Sequence, residues 1–473
     1  MFTTSTIIAL GTAVLSILYG LLLYRNVIKQ PEGSKKIIDA VNVLYSEVKA
    51  ALGKQNSALF AITAATFVII LYLLNWETAI GFAVGVLSTI LINIILANMI
   101  AKNSGRVLES ARKGLQTSAN MAFKSGAAGA LISCGLGLLI VAAYYAIFKD
   151  TENLIGLGLG VSLVALFGKL TGKLSKEFMA DTNRLNGLFE LSIVSTIITM
   201  FLGQKVFDGS DNSVLFPLVL TSASVIAFAV ASILIRFFKN TKKFSTILYS
   251  ALGIEVVLFG TAVYFSYHLM MKSTGVSAMV NVYGLAIISL IILFLGGLTI
   301  LFNIYGQVAG NANKIAEKSE TPIDVKNHLA KMTVFENLFS NISKFYYIWA
   351  TALISVLLFY GYTKNVLGSI SLNLGNYLVL SGLLIGLVAA SLFYFQKIKY
   401  NNENINKAIL LCVILILLPV IIGLTLGASA LGGYVIGVIL IGLFASVFFS
   451  ESYTNIIRIS AIIALLIASS IVK

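Results

Sequence analysis

The sequence predicts an all-α polytopic membrane protein with about 14 transmembrane helices, and three observations carry that prediction. Of its 473 residues, 58% are hydrophobic and 11% charged, with 4 prolines and a mean hydropathy of +0.95. The apolar runs are about 20 residues long, enough to cross a hydrocarbon core of about 30 Å. Lipid offers the backbone no hydrogen bonds, so such runs must be helices. Lys and Arg then concentrate in every second connection between the runs. The whole chain, 1–473, therefore reads as a single transmembrane domain, with no soluble domain of useful size.

Taken in order, the first eight spans fall near 3–24, 57–75, 79–101, 125–148, 153–168, 187–204, 213–235 and 244–268. Six more lie near 279–302, 345–362, 374–395, 407–425, 430–449 and 456–472. In the first, the positive residues Arg25 and Lys29 follow the apolar run instead of preceding it, which predicts a retained anchor rather than a cleaved leader. Between spans 9 and 10 runs the longest polar interruption, 303–344, expected as a cytoplasmic loop. Any chemistry has to sit there, yet its carboxylates are few: Glu317, Glu320, Asp324 and Glu336.

Basic connections are retained in the cytoplasm. Arg25, Lys29, Lys35 and Lys36 lie after span 1, Lys102, Arg106, Arg112 and Lys113 after span 3, and Arg236, Lys239, Lys242 and Lys243 after span 7. Even-numbered connections hold single residues such as Lys149, Lys205, Lys272 and Lys364. The expectation is an integral protein of a plasma-type membrane, both termini outside and the basic connections cytoplasmic. The net charge of +14 is then a topological signal. It implies the lipid bilayer as partner, attracts anionic lipid, and calls for no nucleic acid.

Candidate ligands are sparse. Cys134 and Cys412 each lie alone in an apolar run, and His268 and His328 are single, so neither disulfide nor metal spacing is present. No metal site and no cofactor is expected from these residues. Lys169, Lys331 and Lys344 offer an anion site at one helix mouth, but basic residues in retained connections are more often topology determinants. GLGLG at Gly156 to Gly160, and the spacing Gly433 to Gly437, read more simply as close helix packing than as phosphate loops.

Several blocks, in order, carry a resemblance. They are QPEGSKKI from Gln30, GFAVGVLSTILINIILANMIAKNSGRVLESARKGLQTSANMAFKSGAAGAL from Gly81, GLGVSLVALFGKL from Gly158, LFELSIVSTII from Leu188, NVYGLAIISLIILFLGGLTILFNIYGQVAGNA from Asn281, ISKFYYIWAT from Ile342 and IIRISAIIALLIAS from Ile456. This collinear series resembles the membrane-bound ion-translocating pyrophosphatases, the proton- and sodium-pumping inorganic pyrophosphatases. The resemblance implies an inner ring of six helices, here spans 5, 6, 9, 10, 13 and 14, surrounded by an outer ring. The family's ninth and tenth spans have no counterpart here. It also implies a homodimer.

The same resemblance shows where the chain departs. Family members hold magnesium and diphosphate with many aspartates, because hard Mg²⁺ needs several oxygen ligands. Here Gly168, Asn303, Gly310 and Thr333 stand at aspartate positions, and the DNVGD repeat is absent. No catalytic set is complete, and the possible remnants are Asp181, Asn311, Asn337 and Lys344. The expected function is a non-hydrolytic homologue, a structural or partner subunit or a passive ion or anion passage. The alternative is a working pump coupling diphosphate hydrolysis to proton or sodium translocation, which would require Mg²⁺.

For the ion gate the resemblance places Glu190 and Arg458 on the family's glutamate and lysine, with Gly187 where a gate aspartate would be. A lone charge within a span costs about 3 kcal/mol on insertion scales. Freed from a competing acid, the two are expected to pair directly as a closed plug. Otherwise each snorkels separately to an interface. Glu255 in span 8 is the rival partner for Arg458.

Overall fold

The computed structural model describes residues 3–171, 182–206, 211–237, 280–319, 321–366, 372–399, 405–448 and 454–471. Within them the chain is helical, in twelve helices. These are α1 (Thr4–Ile28), α2 (Lys35–Leu73), α3 (Trp76–Ala111), α4 (Leu115–Phe148), α5 (Thr151–Thr171) and α6 (Thr182–Val206). There follow α7 (Asp211–Phe237), α8 (Val280–Lys318), α9 (Ile323–Asn365), α10 (Tyr377–Lys399), α11 (Ile405–Phe448) and α12 (Thr454–Ile471). Helices occupy every expected span position except 244–268, which lies outside the described residues together with Glu255 and His268. Spans 12 and 13 form the two arms of α11, which carries Pro419 and breaks at Gly427 with φ 82°. By length and composition, eight described helices can cross a membrane, with shorter apolar segments at Val214–Val230, Tyr377–Phe393 and Thr454–Ala468.

Several helices are longer than a bilayer needs. At 1.5 Å per residue, the 39 residues of α2 extend about 28 Å beyond a hydrocarbon core of about 30 Å. Lys35, Lys36, Lys49 and Lys54 therefore lie on helix, not in a loop. The expected loop at 303–344 is corrected in the same way: α8 continues through Lys318 and α9 begins at Ile323. Only a short turn separates them, in which the Thr321 N–H bonds the Ser319 carbonyl at 2.6 Å. The cause is legible in hindsight. Ile304, Val308, Ala312, Ile315 and then Val325, Leu329 and Met332 are buried at helical spacing, a period that a search for long apolar runs overlooks. His328 Nδ1 lies 3.2 Å from the Ala111 carbonyl, tying the start of α9 to the end of α3.

Burial separates inner from outer helices. In α5 and α6, 89% and 94% of the apolar window is buried, against 28% in α2. The outer helices present Leu15, Leu22, Phe60, Val68, Leu384 and Val388 outward, as a lipid-facing surface requires. Inside, α5 packs on α6, α6 on α8, α8 on α9, α9 on α12, and α12 back on α5, with α11 against α12. Glycines set the closest approaches. A Cβ on Gly156 or Gly160 of α5 would stand 2.3 and 2.2 Å from the Thr78 and Phe82 carbonyl oxygens of α3. On α11, Gly433 and Gly437 meet the Val379 and Leu383 carbonyls of α10 at 2.1 and 2.4 Å in the same sense. Both stretches are helix-packing surfaces.

Candidate functional site

Three inner helices each turn two residues to a common point. Gly187 and Glu190 on α6 and Asn455 and Arg458 on α12 are three apart; Tyr347 and Thr351 on α9 are four apart. Both spacings place side chains on one helix face. Glu190, Arg458, Thr351 and Asn455 are 0% exposed and Tyr347 is 1%.

Arg458 grips Glu190 with a two-point fork, Nε to Oε1 at 2.8 Å and Nη2 to Oε2 at 2.7 Å. Asn455 Nδ2 donates to Glu190 Oε2 at 2.8 Å. Two further guanidinium donors reach the Thr351 hydroxyl and, at 2.5 Å, the Tyr347 hydroxyl. That hydroxyl donates onward to Asn455 Oδ1 at 3.0 Å. The direct Glu190–Arg458 contact is therefore present, and separate snorkelling is overturned by the full burial of both side chains. A buried ion pair survives desolvation only with good geometry and its remaining hydrogen bonds satisfied, and both conditions hold. Chemically the cluster is a neutral, closed knot. Its carboxylate already accepts three hydrogen bonds.

Next to the knot, at the C-terminal end of α5, Lys169 lies buried with Nζ 3.8 Å from the Tyr347 ring centroid. Lys331, expected beside it, is exposed on α9, and the Lys344 side chain lies outside the described residues. Tyr347, Thr351 and Asn455 went unmarked in the sequence as functional residues. Their only signal is the three- and four-residue spacing within their helices.

The positions that the resemblance compares with aspartates look different. Gly168 and Gly310 are buried glycines, Asn303 Nδ2 donates to the Thr299 carbonyl at 2.9 Å, and Thr333 Oγ1 to the Ala330 carbonyl at 2.8 Å. Asn311 is fully buried on α8. Asp181 lies outside the described residues, as do the side chains of Asn337 and Lys344 on α9. Glu317 is exposed and accepts from Asn313 Nδ2 at 3.0 Å, and Asp324 is exposed as well. Among the described residues Glu190 is the one buried carboxylate, and no three His, Cys, Asp or Glu side chains gather as a metal-binding group. This donor set does not fit a magnesium–diphosphate cluster.

The family model described as "Inorganic H+ pyrophosphatase" matches residues 14–175 and 244–401, segments that include Lys169, Tyr347 and Thr351 but neither Glu190 nor Arg458. The chain is 23% identical to the K(+)-insensitive pyrophosphate-energized proton pump of Methanosarcina mazei, over 80% of this chain and 74% of the relative. It is 24% identical to K(+)-insensitive pyrophosphate-energized proton pump 2 of Moorella thermoacetica, over 60% of this chain and 47% of the relative. To the K(+)-stimulated pyrophosphate-energized sodium pump of Thermotoga maritima it is 22% identical, over 41% and 29%.

Proposed function

The chain belongs to the inorganic H+ pyrophosphatase family, and from that premise we propose that it is a non-hydrolytic member, which keeps the helical scaffold and lacks the metal cage. It acts as a structural or partner subunit in the bilayer, or as a passive ion or anion passage closed in the present state. One observation carries the reading: the one buried carboxylate among the described residues is bound by Arg458 and Asn455, so among those residues no buried carboxylate is left to hold magnesium. On this reading Glu190 and Arg458 occupy the ion-gate position as a closed plug across the inner helices. The printed functions of the relatives favour the second reading, a working pump, for which Mg²⁺ would have to be held by residues beyond those described.

The deciding assay is phosphate release from diphosphate by the purified protein in magnesium. The expected result is release at background. Magnesium-dependent release that disappears in Asp181→Ala would overturn the non-hydrolytic reading.

The topology we propose puts both termini outside, the basic connections in the cytoplasm, and two copies in a homodimer. A tag inserted after Lys113 or Lys326 should be reachable only from the cytoplasm. Labelling of the Lys326 tag on intact cells would reverse the orientation, and a monomeric mass in detergent would remove the dimer.

A further inference from the structure

We propose that Tyr347 and Gly187 form a size-matched pair that holds the Glu190–Arg458 lock shut, with Tyr347 as its positioning residue. The inference rests on the reading of the ion pair as a seal. Gly187 lies three residues ahead of Glu190 on α6, hence on the same face. A Cβ there would fall 2.4 Å from the Tyr347 hydroxyl and 2.7 and 2.8 Å from two of its ring carbons. The tyrosine therefore fills the volume that any side chain at 187 would need, and glycine is what admits it.

From that place one hydroxyl steadies both charges. It accepts from Arg458 Nη2 at 2.5 Å, and it donates at 3.0 Å to Asn455, whose amide donates at 2.8 Å to Glu190. Four of the five N–H donors of a guanidinium are thereby engaged within the protein. The Tyr347 ring also lies against two cations, Lys169 Nζ at 3.8 Å and Arg458 Cζ at 5.0 Å from its centroid, each attracted by the ring face. A cation approaching between α5, α6, α9 and α12 meets two fixed positive charges and a carboxylate already occupied. What the pair excludes is therefore cations, protons and sodium alike.

The test uses the full chain reconstituted in phosphatidylcholine–phosphatidylglycerol vesicles, with proton and sodium leak read by entrapped dyes. Gly187→Leu alone should fail to accumulate as folded protein. Gly187→Leu combined with Tyr347→Ala should restore a monodisperse, folded species. Tyr347→Phe keeps the ring and its volume, so it should fold normally, and losing only the hydroxyl should raise cation leak at least about tenfold over wild type. A residue with a packing role alone would leave that variant tight. Equal tolerance of Gly187→Leu in both backgrounds, or a tight Tyr347→Phe beside a leaky Glu190→Gln, would overturn the role of Tyr347. A tight Glu190→Gln would instead overturn the reading of the ion pair as a seal. Phosphate release measured on the same preparations reports separately on the non-hydrolytic reading.

Discussion

The knot around Glu190 and the polar mouth where α5, α8 and α9 carry the positions compared with aspartates differ in what surrounds each side chain. At the knot every charged atom has a partner inside the protein. At the mouth the positions that the resemblance compares with aspartates hold Gly168, Asn303, Gly310 and Thr333, and the described acids, Glu317 and Asp324, are exposed. The difference follows from the surroundings. A buried ion pair cannot lose one member cheaply, because the other is left as an uncompensated charge. An aspartate that faces water and a substrate can be replaced singly with little effect on the fold. Selection for folding alone would therefore keep the knot and let the mouth drift.

Breaking the knot should have the largest effect. Arg458→Ala or Glu190→Gln should each destabilise the protein by about 3–5 kcal/mol, the range for leaving half of a buried pair, measured by unfolding in detergent. Replacing both by methionine should cost clearly less than the two single changes added together. Additive effects would mean that the pair is not coupled. At the next level, Gly160→Leu inserts a side chain where the Phe82 carbonyl stands 2.2 Å from the Cβ position. Overpacking of this kind costs roughly 1–3 kcal/mol, and an unchanged melting temperature would show that α3 and α5 can separate freely.

The positions of the spans were legible in the sequence, since apolar length and the alternation of Lys and Arg report directly on lipid. The extension of α2, α8 and α9 beyond the membrane was not, because helix there is carried by amphipathic spacing such as Ile304, Val308 and Ile315. Glu190 and Arg458 could be paired from sequence because the family resemblance put both at the ion gate, where an isolated charge in a span needs a partner. Tyr347, Thr351 and Asn455 could not be picked out, since a neutral hydroxyl or amide in an inner helix has no comparable need. Gly187 was placed by resemblance to a missing acid, but its reason for being glycine, the Tyr347 hydroxyl, is visible only in three dimensions.

The mouth predicts small effects. Thr333→Ala removes a hydroxyl that, among the described residues, bonds its own helix at Ala330, and should change stability by no more than about 0.5 kcal/mol. A larger loss would mark a role the described contacts omit. The smallest effect lies at the opposite ends of the inner helices, at Asp150 between α4 and α5. Burial raises its carboxyl above the usual range, opposed by the Glu152 N–H that donates to it at 2.9 Å. The folded state thus binds this proton more tightly than the unfolded chain. Its contribution stabilises the fold as pH falls through the raised range to the ordinary carboxylate range, and is lost as pH rises again. Asp150→Asn should flatten that part of the stability–pH curve, and an unaltered curve would assign the dependence elsewhere.

Whether the scaffold holds magnesium and diphosphate is tested more directly by binding than by turnover. Thermal unfolding of the purified full chain, with and without magnesium and a non-hydrolysable diphosphate analogue, is the measurement. A ligand present at 100 times its dissociation constant would stabilise the fold by about 2.7 kcal/mol. A non-hydrolytic member without the metal cage should show no shift with the pair of ligands beyond that seen with either alone. A magnesium-dependent rise with the analogue, abolished by Asp181→Ala, would contradict the non-hydrolytic reading.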